Sequence, residues 1–215
     1  MVRPPRPEVR DLLIERAAGM LARREPVSLR KLVADTDFST MAVYTYFDGM
    51  PGLLGAVRQE GFNRLTARLA GVVATDDPVR DLAAIGAAYT SSATAYPDLY
   101  AVMFDGTLPL PDAQAADATF GQLIEAVQRA VTAGRFDAEV DPVGFANEVW
   151  MLGHGACMLL VRGVVTFEQV EPVLTAGLIR LYAGAGDDAD LAEQSLRSGW
   201  AAGWEGRLPP STPWH

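Results

Sequence analysis

The chain has 215 residues, of which 49% are hydrophobic, and a formal net charge of −9. This composition is globular and excludes a disordered chain, and the longest uncharged apolar run, residues 149–161, is too short to span a bilayer. One cysteine excludes an internal disulfide, and the basic, proline-rich start lacks the apolar segment of a signal peptide. We therefore expect a cytoplasmic protein.

The predicted elements are all helical. Apolar periodicity and capping residues predict helices at about 8–24, 28–35, 39–47, 51–73, 76–96, 99–104, 112–133, 142–162 and 166–183, and no strand pattern is present. Residues 184–188 are predicted to form a linker, and residues 189–199 are predicted to form one more short helix. Because the tail also carries Trp200 and Trp204, we expect it to dock against the rest of the protein. The predicted fold class is all-α.

Charge is distributed unevenly along these elements. Residues 1–71 carry 11 basic and 8 acidic side chains, whereas residues 72–215 carry 7 basic and 19 acidic ones. A mildly basic N-terminal third on an acidic body is typical of a nucleic-acid-binding domain joined to a domain with another role. Random unevenness is the alternative explanation.

The second and third helices form a short pair. Ser28 is placed as the N-cap of the first, and Ser39 as the N-cap of the second. The segment Thr36-Asp37-Phe38 separates them, and Asp37 is expected to take the left-handed conformation that a tight turn needs. Val43 and Phe47, four residues apart, would form the buried face of the second helix.

The opposite face of that helix carries hydroxyls, a methyl and a thioether instead of the usual Lys and Glu. Such a face suits the major groove of DNA, where hydroxyls bond to base edges or phosphates and small apolar groups touch thymine methyls. The alternative is a helical hairpin that buries Phe47 and has no role in DNA binding. The residues predicted to contact DNA are Ser28, Ser39, Thr40, Met41, Ala42, Tyr44, Thr45 and Tyr46.

The segment Ser39 to Phe47, followed by Asp48-Gly49-Met50-Pro51-Gly52-Leu53-Leu54, resembles the signature of TetR-family transcriptional regulators. This resemblance implies an N-terminal three-helix helix-turn-helix domain, residues 1–50. It also implies a C-terminal helical bundle for ligand binding and dimerisation, residues 51–215, which includes the tail 184–215. The chain departs from the family at Val33 and Asp37, usually Ala and Gly, and at Met50, usually a Lys that contacts phosphate.

A second resemblance lies in the eighth predicted helix. The stretch Trp150-Met151-Leu152-Gly153-His154-Gly155 resembles the Trp…His-Gly signature in the C-terminal domain of one group of TetR-like regulators. In that family helices eight and nine pair with their copies in a four-helix dimer interface. The small residues allow such an approach, but they would equally allow close packing inside one subunit. The predicted interface residues are Leu152, Gly153, Ala156, Leu160, Leu174 and Leu178.

The family resemblance also implies a ligand cavity among the bundle helices. The residues predicted to line it are Tyr89, Tyr96, Tyr100, Met103, Phe104, Phe120, Trp150 and His154. Aromatic residues at helical spacing can instead be ordinary core. His154 is open to three interpretations: a ligand contact, a metal site or a hydrogen-bonded helix histidine. Cys157 is expected to be a small buried apolar group.

These features predict a ligand-responsive homodimeric repressor that binds a pseudo-palindromic DNA operator and is released by a small apolar effector. No metal or cofactor is expected. No catalytic motif is present, so we do not expect an enzyme. The alternative is a helical small-molecule-binding or scaffolding protein with a vestigial helix-turn-helix.

Overall fold

The computed structural model describes residues 6–204, and within that range the chain is helical without a strand. This confirms the predicted all-α fold. No helix in the described range is long and apolar enough to cross a membrane. The helices are α1 (Pro7–Ala22), α2 (Leu29–Leu32), α3 (Met41–Phe47), α4 (Met50–Leu69), α5 (Pro78–Ala95), α6 (Pro97–Met103), α7 (Gln114–Thr132), α8 (Pro142–Val161), α9 (Phe167–Gly184) and α10 (Ala189–Gly203).

Three helices begin where their capping residues predict. The Ser28 side chain accepts a hydrogen bond from a first-turn amide of α2. Asp141 accepts from two backbone amides at the start of α8, with Pro142 in the first turn. Thr166 and Gln169 form a reciprocal capping box at the start of α9. Each of these bonds satisfies amides that a helix leaves without an internal partner.

Two predictions for the α2–α3 turn are wrong by one or two residues. The N-cap of α3 is Thr40, not Ser39, and its side chain makes no capping bond. The residue in the left-handed region is Asp35, at φ 57°, and not Asp37. Because α2 ends already at Leu32, the chain reverses earlier than the apolar spacing suggests.

The chain forms two compact units. The first combines the residues up to Arg64 with Tyr96–Ala115, and the second combines Leu65–Ala95 with the residues from Ala116 onward. The chain therefore passes between the units three times. These two units do not coincide with the predicted DNA-binding domain, residues 1–50, and C-terminal domain, residues 51–215. That functional boundary stays a prediction.

The first unit is built around α1. Leu13 and Ile14 of this helix are completely buried. Helix α6 contributes Leu99 and Val102 to the same hydrophobic cluster, and α1 packs against α6. Residues far beyond the N-terminal helices thus complete this core. The buried members of the cluster are Val9, Leu13, Ile14, Ala17, Ala18, Met20, Leu32, Val43, Phe47, Leu53, Val57, Leu99 and Val102.

The second unit has a core from α5, α7, α8, α9 and α10. At its centre the rings of Phe136, Phe145 and Tyr182 lie 5.0–6.1 Å apart. The tail helix α10 packs along α5 and runs to Gly203, four residues further than predicted. The expected docking of the tail is thus confirmed. Trp200 and Trp204 stack at 5.8 Å beside Phe167.

Candidate functional site

One face of α3 is exposed to solvent. Val43 and Phe47 are buried in the core of the first unit and anchor the helix. Met41 and Tyr44 point outward, with 62% and 52% of their surface exposed, and Thr45 is exposed beside them. The spacing i, i+3, i+4 places these three side chains on one face. The thioether of Met41 and the ring of Tyr44 make this exposed face largely apolar, where a helix surface usually carries charged side chains.

Two of the hydroxyls on α3, those of Thr45 and Tyr46, already have partners. Thr45 donates to the carbonyl of Met41 at 3.0 Å, so its oxygen is left as an acceptor toward an outside group. The Tyr46 hydroxyl accepts from the backbone amide of Arg6 at 2.7 Å. The Arg6 guanidinium lies 5.2 Å from the ring centre of Phe38. Tyr46 therefore ties the start of the chain to α3.

The other residues predicted to contact DNA differ in exposure. Ser39 is exposed, Ser28 and Thr40 are half-buried, and Ala42 packs against the core of the unit. Met50, which stands where the family usually has lysine, is half-buried against the same core. Within the α2–α3 pair, Arg30 and Lys31 of α2 are exposed basic residues.

The residues predicted to contact ligand divide between the two units. Four of them lie in the first unit: Tyr96, Tyr100, Met103 and Phe104. Tyr100 and Met103 are buried there, and the Tyr100 and Phe104 rings meet edge to face at 5.6 Å. Tyr96 is exposed, with the Arg64 guanidinium 4.3 Å from its ring centre.

The other four lie in the second unit and form one cluster: Tyr89, Phe120, Trp150 and His154. The Tyr89 hydroxyl shares a 2.9 Å hydrogen bond with Nδ1 of His154. The Trp150 ring lies 5.3 Å from the imidazole, and Phe120 meets Trp150 edge to face at 6.3 Å. His154 is thus a hydrogen-bonded helix histidine, as one of the three interpretations predicts.

Burial sets the charge state of this cluster. It lowers the pKa of His154 below the ordinary value of about 6.5, so the imidazole is neutral at pH 7. Cys157 is buried, as predicted, and its thiol lies 3.4 Å from the Thr90 hydroxyl. No group of three or more His, Cys, Asp or Glu side chains in residues 6–204 could hold a metal ion.

The predicted dimer residues also separate into two sets. Leu160, Leu174 and Leu178 are buried inside the second unit, and Ala156 packs against its core. Leu152 is exposed, and apart from its own helix no atom of the described chain lies within 4 Å of the position that a Cβ on Gly153 would occupy. Along α8 and α9 the exposed apolar side chains are Val143, Met151, Leu152, Leu159 and Val173.

The second unit contains an ion-pair network that the sequence patterns do not predict. Arg135 binds Asp187 through two hydrogen bonds of 2.7 and 2.8 Å and Asp77 through one of 2.8 Å. Ser195 donates to Asp77 at 2.6 Å. Burial pushes the pKa of Asp77 up, but the bonds from Ser195 and Arg80 and the charge of Arg135 outweigh it, so this pKa is lowered. These partners are 52 to 118 residues apart, and no local pattern signals them.

The comparisons with known proteins agree with this architecture. Residues 82–181 match the family model of the tetracyclin repressor-like C-terminal domain. A structure of a protein of unknown function from Rhodococcus sp. RHA1 is 28% identical with a TM-score of 0.66, covering 82% of this chain and 95% of that one. No curated protein matches the sequence.

Two further solved structures have the same fold at lower identity. The TetR-family transcriptional regulator PfmR from Thermus thermophilus is 20% identical with a TM-score of 0.60, covering 70% of this chain and 84% of that one. RolR, in complex with resorcinol, is 16% identical with a TM-score of 0.57, covering 88% and 93%. The matched C-terminal domain and the shared fold are those of TetR-family transcriptional regulators. The resemblance predicted from the sequence is confirmed.

Proposed function

We propose that this regulator is a repressor that binds a pseudo-palindromic DNA operator as a homodimer and leaves it when a small effector binds. The observation that carries the DNA-binding part is the exposed α3 face of Met41, Tyr44 and Thr45, held by the buried Val43 and Phe47. A protruding helix with hydroxyls and apolar groups is complementary to the major groove. The exposed Arg30 and Lys31 next to it supply charge for phosphates.

The competing proposal is a helical binding or scaffolding protein whose helix-turn-helix no longer contacts DNA. Selection of binding sites from random duplex DNA separates the two proposals, because a scaffold would enrich no sequence. It also supplies the operator for the measurements below. The comparison with PfmR, a TetR-family transcriptional regulator that shares the fold over 84% of its length, supports a regulator.

Thr45→Val is expected to relax the preference at one or two operator base pairs by on the order of 1–3 kcal/mol. The Thr45 oxygen can accept from an adenine or cytosine amino group, and valine keeps the shape but removes this acceptor. Tyr44→Phe should instead weaken binding to all sequences alike. Titrations against the operator and its single-base variants measure both effects.

Thr132→Val is the matched control, because this threonine is also exposed and also donates to the carbonyl four residues before it. It lies on α7 and should leave binding unchanged. If Thr45→Val and Tyr44→Phe both bind every sequence like the wild type, α3 is not the reading helix.

Dimer formation is proposed through the exposed apolar face of α8 and α9. Met151 and Val173 are 62% and 70% exposed, and exposed Leu152 and Leu159 lie on the same two helices, so the exposure is a group of apolar side chains and not a single one. Gly155 lies on the same face of α8, one turn from Met151 and Leu159, and lets a second helix approach. Leu160, Leu174 and Leu178 are left out of the proposed interface because this chain already buries them.

Gly155→Arg is expected to yield monomers with unchanged helical content and at least a hundredfold weaker operator binding. Apart from its own helix, no atom of the described chain lies within 4 Å of the new Cβ position, so the substitution is compatible with the fold of one chain. It would, however, place a charge inside the proposed interface. Sedimentation velocity and circular dichroism measure the two properties. Gly121→Arg on α7, equally open, is the control and should stay dimeric; a dimeric Gly155→Arg would contradict the interface.

The effector part of the proposal is supported by the cluster of Tyr89, Phe120, Trp150 and His154, which combines apolar rings with a polar pair. Ligand sites commonly have this composition. RolR, with the same fold, is in complex with the small aromatic compound resorcinol.

By linkage, an effector that weakens operator binding tenfold must itself bind tenfold more weakly when operator is present, about 1.4 kcal/mol of coupling.

A further inference from the structure

The methionines of the described range differ in their exposure to solvent. Met41 on α3 and Met151 on α8 are each exposed over 62% of their surface. The others in this range are buried or half-buried: Met20, Met50, Met103 and Met158. A small reagent dissolved in water therefore reaches the thioethers of Met41 and Met151 more readily than those of the other four.

The two exposed thioethers lie on surfaces with different proposed roles. Met151 belongs to the apolar face of α8 through which the chain is proposed to dimerise, so a second copy would cover it. Met41 lies with Tyr44 and Thr45 on the proposed DNA-reading face. That face is open to solvent until DNA binds. Met41 is therefore the exposed methionine whose accessibility depends on DNA.

A thioether reacts with peroxides without first having to ionise. The sulfur lone pair attacks one oxygen of hydrogen peroxide, the O–O bond breaks, and the departing hydroxide takes the proton from the transferred oxygen. Sulfur is oxidised by two electrons to the sulfoxide, and the peroxide is reduced to water. The single cysteine, Cys157, is buried, so peroxide reaches the Met41 thioether more readily than this thiol.

Oxidation converts Met41 from an apolar side chain into a polar one. A sulfoxide oxygen only accepts hydrogen bonds, and most of the polar atoms that bases present in the major groove are also acceptors. The helix from Met41 to Phe47 carries no charged residue, and Thr45 already donates its hydroxyl to the Met41 carbonyl. A sulfoxide at the DNA surface would therefore lose its water without equivalent new hydrogen bonds, which weakens binding.

We propose that Met41 is a reversible oxidation site, and that its conversion to the sulfoxide by hydrogen peroxide releases the protein from its operator. The proposal rests on the proposed function, because the effect requires α3 to read DNA. It adds an oxidant as a second input beside the effector. Bound operator covers Met41 and slows the reaction, so oxidation acts mainly on the DNA-free protein and keeps it free.

The first test measures operator affinity before and after treatment with hydrogen peroxide, which catalase then removes. Peptide mass mapping gives the fraction of sulfoxide at each methionine. As Met41 is converted, the wild-type chain should lose about tenfold or more in affinity, as expected when a polar group is left without a partner in each reading helix of a dimer. Unchanged affinity at full conversion of Met41 would overturn the proposal.

Reversal of the effect separates the sulfoxide from other damage. The two methionine sulfoxide reductases, one for each epimer, should restore operator affinity in the presence of dithiothreitol. Dithiothreitol alone should not restore it, because this thiol reduces disulfides and sulfenic acids but leaves the sulfoxide in place. A loss of affinity that the reductases do not reverse would overturn the proposal.

Two leucine variants assign the effect to one residue, because leucine is apolar and similar in volume to methionine but forms no sulfoxide. Each variant is compared with its own untreated sample, so a change in starting affinity does not enter the comparison. Met151→Leu should lose affinity like the wild type. Met41→Leu should stay within about twofold of its untreated affinity, since it has no thioether on α3. A tenfold loss in Met41→Leu would place the sensitive group elsewhere and overturn the proposal.

Protection by DNA is measured on the wild-type chain. The rate of sulfoxide formation at Met41 should fall with the fraction of protein bound to operator, and a duplex that the protein does not bind should leave this rate unchanged. Equal rates with and without bound operator would overturn the proposal. A chain that enriches no DNA sequence overturns the proposed function, and this proposal with it, before peroxide is added. A chain that binds operator but is insensitive to peroxide overturns only this proposal.

Discussion

Gly52→Ala is expected to weaken operator binding by at least a hundredfold. A Cβ at this position in α4 would overlap the carbonyl oxygen of Phe47 and lie 2.9 Å from its carbonyl carbon. Phe47 is the last residue of α3, so a clash with its backbone must displace the end of the proposed reading helix. Displacements of about 1 Å are large compared with hydrogen-bond tolerances at base edges. Titration of the selected operator measures the loss.

The same clash should lower the free energy of unfolding by about 1–3 kcal/mol, as is usual when a well-packed contact is overfilled. Gly121→Ala is the control, because this helical glycine on α7 has open space around it. It should bind operator normally and gain up to about 1 kcal/mol from helix propensity. Operator affinity of Gly52→Ala within threefold of the wild type would show that the α3–α4 junction tolerates the shift.

Gly199→Ala is expected to have the largest effect on the second unit. Gly199 and Gly203 are one turn apart on α10 and face the backbone of α5. A Cβ on Gly199 would overlap the carbonyl oxygen of Arg80 and lie 2.7 Å from the Cβ of Ala83. Backbone atoms of a packed helix cannot move aside as a flexible side chain can, so α10 must move away from α5.

We expect a loss of about 3 kcal/mol, at the upper end for overpacking, and a fall in Tm of roughly 2–4 °C per kcal/mol for a chain of this size. Differential scanning calorimetry measures it. Ser198→Ala, on an exposed position of the same helix, should change the stability by less than about 0.5 kcal/mol. A Gly199→Ala variant as stable as Ser198→Ala would mean that α10 is held mainly by other contacts, such as the Ser195–Asp77 bond.

The helices could be predicted largely because their ends carry local signals. Ser28, Asp141 and Thr166 are capping residues whose partners are two or three positions away, so the sequence contains the whole interaction. The α2–α3 turn was predicted less well because Asp35 and Asp37 are both compatible with a left-handed conformation. Which of them adopts it depends on where α2 ends, and packing decides that.

The candidate site could be predicted only in part. The outward face of α3 follows from helical spacing, and Met41, Tyr44 and Thr45 are exposed as expected. Spacing alone could not tell which apolar residues of α8 and α9 face this chain and which face solvent, so buried Leu174 and Leu178 were grouped with exposed Leu152. From helix propensity alone, Gly199 and Gly203 are expected only to weaken a helix. In the fold they allow α10 to approach α5 closely.

The discontinuity of the first unit has a consequence during synthesis. Its core needs Leu99 and Val102 of α6, and the unit extends to Ala115, so the helices up to Arg64 cannot complete their packing when they leave the ribosome. At 5–20 residues per second, residues 65–115 take roughly 3–10 s to translate. For that interval the nascent helices up to Arg64 expose the apolar face of α1. A fragment ending near residue 64 would remain in this incomplete state, so a transfer of the proposed DNA-reading helices into another protein requires α6 as well.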